Sequence, residues 1–183
     1  MNSGVRWAPP LLVVLALAPT AEARSFVIAA QGSEDSVGVV KRIGDFRPAR
    51  NPTLAAAIRK LGEPTSMSGG GSEACTVLWR PLGLTILFAN FGAVDACDPD
   101  EGLAQRAVVK RRERWHTRRG LHIGDSLGKL DRLYPRSEPR AGGFPLITTF
   151  NVFGGRGRYT VLGARVRISR VRAFVLFIGA AGD

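Results

Sequence analysis

Cysteine is scarce in this chain, with Cys75 and Cys97 the only two among 183 residues. Two thiols exclude a disulfide-dense scaffold and any cysteine-rich zinc cluster. Histidine is as rare, with His116 and His122 alone, so little material exists for metal ligation or acid–base chemistry near neutrality. Acidic groups are outnumbered: 15 Asp and Glu stand against 26 Lys and Arg, a formal charge of +11. No apolar run reaches the roughly 20 residues that a spanning helix needs. What is present is ordinary for a globular chain, 45% hydrophobic and 22% charged, which argues against wholesale disorder. The length suits one domain or two small ones.

The N-terminus has the layout of an export signal. Arg6 gives a positive start, Leu11 to Ala18 is apolar, and Ala21-Glu22-Ala23 is a small-x-small cleavage pattern. Pro9, Pro10 and Pro19 bracket the apolar run. Cleavage is expected near Ala23, leaving residues 24–183 as the mature chain, secreted or in the cell envelope. In an oxidising compartment the default for Cys75 and Cys97 is a bridge. Asp95, Asp98, Asp100 and Glu101 surround Cys97 and would raise a thiol pKa, which disfavours a reactive cysteine.

Local patterns divide the rest. Residues 24–36 read as a polar lead-in, followed by a strand over Val37 to Lys41. Asn51-Pro52 reads as a helix start, with Asn51 as cap, Leu54, Ile58 and Leu61 at helical spacing, and Gly62 as stop. Pro64 to Glu73 is a loop by composition. Thr76 to Trp79 and Leu84 to Phe91 read as a buried hairpin. Ala107 to Arg111 is a further strand candidate. A second short helix carries Leu127, Leu130 and Leu133 and ends at Tyr134-Pro135. Leu146 to Phe153, Tyr159 to Arg167 and Arg172 to Ile178 predict an antiparallel meander. The order, short helix then strands, occurs twice. The expected fold class is therefore α+β: antiparallel sheet with short helices packed on one face, in two weakly related tandem αβ halves, 37–101 and 102–183.

The segment Gly120 to Pro135, GLHIGDSLGKLDRLYP, resembles the entry into the helix of a tandem αβ module. That module is shared by β-lactamase-inhibitor-protein-like folds and the outer-membrane assembly lipoproteins of the SmpA/OmlA type. The stretches beginning at Cys75 and at Ala164 resemble uncharacterised secreted proteins of high-GC bacteria. The resemblance implies a binding module rather than an enzyme. It is carried for the fold alone, because the lipoprotein cysteine is missing and only one helix is readable per half.

Gly124 to Gly128 reads GDSLG, matching the G-x-S-x-G nucleophile elbow and the opening motif of GDSL esterases. A serine nucleophile needs a base, which in α/β-hydrolases follows the serine in the chain. Both histidines precede Ser126, and no late D-x-x-H pair occurs. Asp125 or Ser126 as a helix N-cap is the expected role, and no catalytic residue is assigned; a small serine hydrolase using Ser126 is the alternative. His116 and His122, six apart beside Arg118 and Arg119, lack helical ligand spacing, and no metal or cofactor is expected. The acidic loop from Asp95 lacks the order of a calcium hand.

Charge is unevenly spread. Residues 24–101 hold 8 basic and 9 acidic side chains, whereas residues 102–183 hold 17 and 5. Arginine outnumbers lysine 22 to 4. Lys110, Arg111, Arg112, Arg114, Arg118 and Arg119 form one cluster, and Arg165 and Arg167 head a second. These are the candidate anion-binding residues. Guanidinium forks suit phosphate and carboxylate; the competing reading is a solvated surface shaped by GC-rich codons. The absence of nucleic-acid-binding motifs, together with export, argues against DNA or RNA. The expectation is an exported, non-catalytic binding protein whose partner is an unknown protein or an anionic envelope polymer, or alternatively an anionic lipid.

Overall fold

The computed structural model describes residues 25–33, 36–71, 74–90, 92, 95–110, 114–150 and 158–178. The segment expected to be an export signal (1–23), Arg111 and Arg112 lie outside them. The chain forms a mostly-sheet α+β fold. In order, the elements are β1 (Phe26–Ser33), β2 (Ser36–Ile43), α1 (Leu54–Leu61), β3 (Ser66–Gly70), β4 (Ala74–Trp79), β5 (Leu84–Ala89), β6 (Leu103–Val109), β7 (Trp115–Thr117), α2 (Leu127–Leu133), β8 (Phe144–Phe150), β9 (Arg158–Arg167) and β10 (Arg170–Phe177). The succession ββαβββ thus occurs twice.

Among the described residues ten strands make two sheets. A seven-stranded sheet runs β3-β4-β5-β6-β10-β9-β8, antiparallel at every pairing. A three-stranded sheet runs β2-β1-β7, with β7 parallel to β1. The large sheet passes through both sequence halves, because β6 pairs with β5 on one side and β10 on the other.

Register shows how the large sheet is sided. Val77, Ile86, Ala107, Leu176 and Leu162 stand opposite one another across five strands, and all five are buried. The neighbouring row is Thr76, Leu87, Arg106 and Phe177, with Thr76 and Phe177 exposed. Side chains alternate faces along a strand, so one face joins the core and the other meets water. Ile28, Ile43, Phe46, Trp115 and Leu121 extend the core. Both buried indoles are satisfied: Trp79 Nε1 donates to the Gly62 carbonyl and Trp115 Nε1 to that of Leu82, each at 2.7 Å.

Four sequence expectations are revised. The segment read as a polar lead-in contains all of β1, whose Ile28 is fully buried; the apolar FVIAA stretch there outweighs the polar residues after it. Helix α1 is capped by Thr53, whose hydroxyl accepts from the Ala56 amide. Asn51 instead accepts from the Thr53 hydroxyl at 2.8 Å and so orients the cap. The loop from Pro64 contains edge strand β3, exposed throughout, which glycines at positive φ (Gly69, Gly70) let follow β4. The remaining strand candidate begins earlier, at Leu103.

Cys75 and Cys97 are bridged, with Cα atoms 5.0 Å apart. The bridge ties β4 to the acidic loop before β6. Asp95 is not merely solvated: its Oδ1 accepts from the Cys97 amide at 2.8 Å and the Gly71 amide at 3.1 Å, so carboxylate and disulfide pin one turn together.

Candidate functional site

The exposed face of the large sheet carries an arginine-lined groove. Its floor is Gly163 on β9 beside Val175 on β10. Glycine matters here for its missing side chain: a Cβ at this position would meet Thr160 Cγ2 at 3.4 Å and the Phe144 carbonyl oxygen at 3.5 Å. The groove encloses about 180 Å³, which suits a single anionic head group rather than a large ligand.

Three guanidinium groups surround it: Arg106 from β6, Arg165 from β9 and Arg140 from the turn before β8. Among the described residues no carboxylate lines the groove. Among the described residues the ion pairs are Arg42–Asp45 and Asp125–Lys129, so none of the three arginines is neutralised by one. Arg106 lies 5.4 Å over the Phe177 ring, a cation–π contact that holds the side chain against the sheet. Its Nε is buried and has no hydrogen-bond partner. A buried donor left unpaired costs about 1–3 kcal/mol. A carboxylate or phosphate oxygen that reached it, after a shift of the Arg106 side chain, would satisfy it with a charge-assisted bond. Phe144, Val175 and Phe177 add apolar surface.

The expected anion-binding residues do not form one site. Arg165 lines the groove, and Arg167 lies two residues on at the end of β9. Lys110 is exposed, its amide donating to the Gly83 carbonyl. Arg114 is half-buried, and its carbonyl accepts from Phe26. Arg118 and Arg119 line a different cleft with Gln31 and Tyr134. Arg119 is further engaged: its guanidinium lies 5.0 Å over the Tyr134 ring and donates to the Leu133 carbonyl at 2.9 Å, helping to close the C-terminus of α2.

Arg106 and Arg140 were not singled out in the sequence. The available signal for Arg106 was a lone charge within the apolar strand LAQRAVV. A second basic cleft lies in the first half, whose near-neutral net charge conceals it in the sequence. Arg47, Arg50, Arg59 and Lys60 line about 650 Å³ beside α1, and Asp45, the acid there, is engaged by Arg42 at 3.2 Å.

Ser126 is the N-cap of α2, its hydroxyl accepting from the Lys129 amide. Among the described residues it makes no hydrogen bond to either histidine. Asp125 accepts from the His122 amide at 2.7 Å and pairs with Lys129 at 2.8 Å. Burial raises and these partners lower its pKa, and the net direction is downward. The two imidazoles stack at 5.0 Å, and His116 Nδ1 lies 3.1 Å from Ser25 Oγ. Burial and the neighbouring His122 hold His116 below its ordinary value. No group of three or more potential metal ligands occurs among the described residues, and no helix there is long and apolar enough to cross a membrane. No family model, curated protein or solved structure matches the chain.

Proposed function

We propose that this chain is an exported, non-catalytic binding protein of the cell envelope or extracellular space, and that its ligand is anionic. The observation that carries this reading is the groove of Arg106, Arg140 and Arg165, which among the described residues holds no carboxylate, and whose Arg106 keeps one buried guanidinium nitrogen without a partner. The disulfide and the export signal pattern support a compartment outside the cytoplasm. The repeated ββαβββ order supports two related αβ halves, in keeping with the binding-module resemblance. Serine chemistry finds no support in the geometry, since the Ser126 hydroxyl is engaged as a helix cap.

Chromatography on immobilised heparin tests the reading. Retention at low ionic strength, lost as salt rises, is expected. Arg106→Gln and Arg165→Gln should each elute at lower salt. Salt-insensitive retention, no retention, or unchanged elution of both variants would overturn it.

A further inference from the structure

The turn between β9 and β10 breaks two rules of sequence economy at once. Its central residues, Ile168 and Ser169, have φ of 51° and 52°. Tight hairpins of this kind favour Asn or Gly, because a Cβ is disfavoured at positive φ. A β-branched residue there is strained, and strain at an exposed position points to function. Ile168 is also 79% exposed, the most exposed of the large hydrophobic residues described.

Four arginines flank this side chain. Arg167 and Arg170 are directly paired, and Arg165 and Arg172 follow on either strand. All four are exposed. Two donate one bond each, Arg170 to the Gly124 carbonyl and Arg172 to that of Arg167, which leaves other N–H groups of each fork free. Arg165, Arg167, Arg172 and Ile168 line a shallow concavity with Val166 and, among the described residues, no acidic one. The nearest carboxylate along the buttressing segment, Asp125, is paired with Lys129. The tip is firmly held: Val171 exchanges backbone bonds with Gly124 and Asp125, and the Ser169 carbonyl accepts from Leu127.

We propose that this hairpin tip docks onto an anionic phospholipid surface, with Ile168 entering the boundary between head groups and acyl chains and the four arginines meeting lipid phosphates. The inference rests on the anionic-ligand reading and narrows it. Charge alone would suit any polyanion. The protruding Ile168 favours lipid, because a soluble polyanion offers it no apolar phase to enter.

Co-sedimentation of the purified protein with phosphatidylglycerol–phosphatidylcholine vesicles, and with pure phosphatidylcholine vesicles, tests the proposal. Binding is expected to the first and not the second. Ile168→Asn should bind about tenfold more weakly, with unchanged heparin elution and an equal or higher thermal midpoint, because Asn suits the turn. Arg167→Gln should bind about fivefold more weakly. Failure of the wild type to bind anionic vesicles, or undiminished binding by Ile168→Asn, would overturn the docking. If heparin retention persists in either case, the broader anionic-ligand reading survives; if it is lost as well, both fall.

Discussion

The Tyr134 hydroxyl donates to Thr117 Oγ1 at 2.8 Å, and both residues are buried. Thr117 Oγ1 also accepts from the Leu121 amide at 3.2 Å. One oxygen thus joins β7 to the residue that ends α2. Thr117→Val keeps the shape but strands both donors, and should cost about 1–3 kcal/mol in urea unfolding. Tyr134→Phe should cost about 1 kcal/mol. The double variant should lose less than the sum, since removing both partners leaves fewer groups unpaired. Additive losses would show that the two residues act independently.

The Cys75–Cys97 bridge closes a loop of 22 residues in sequence separation. On the chain-entropy account that constraint stabilises the fold by roughly 3 kcal/mol. Replacing both cysteines with alanine should lower the denaturation midpoint accordingly, and reductant should lower that of the wild type but not of the variant. Indifference of the wild type to reductant would count against a stabilising bridge.

Strands with strong apolar runs were legible in the sequence, because β4, β5, β9 and β10 each bury alternate or consecutive side chains. Both short helices were legible from leucine spacing and turn residues. Edge strand β3 was not, because its SMSGG sequence buries nothing and its pairing comes from β4. The site was less legible still. Arg165 was marked by its charged neighbourhood, whereas Arg106 reaches the groove only through strand pairing between distant segments, β6 against β10. Local charge counting cannot see a juxtaposition that depends on sheet order.

His116 makes stability depend on pH. Its folded value lies below the ordinary 6.5, so the unfolded chain takes up its proton at higher pH than the folded one. Stability is therefore expected to fall as pH drops through 6.5, and to recover on return to neutrality. His116→Gln should flatten the thermal midpoint between about pH 7 and pH 5. His122→Gln should flatten it less, since it removes only the smaller of the two causes. An unaltered slope in His116→Gln would assign the dependence to other groups.

Gly163→Ala separates the groove from the charge around it. The substitution removes no arginine, so long-range attraction of anions is unchanged. It adds one methyl group to the floor, within 3.4 Å of the flexible Thr160 side chain and 3.5 Å of a backbone oxygen. These are ordinary contact distances, so the fold should tolerate the methyl group with a change in stability below about 1 kcal/mol. Binding of a small anion such as inorganic phosphate, followed by calorimetry, should weaken severalfold, while heparin elution should shift little because the guanidinium groups remain. If phosphate binding is unchanged in Gly163→Ala but lost in Arg106→Gln, the anion rests on the guanidinium groups without entering the groove. If neither variant alters it, the groove is not the site.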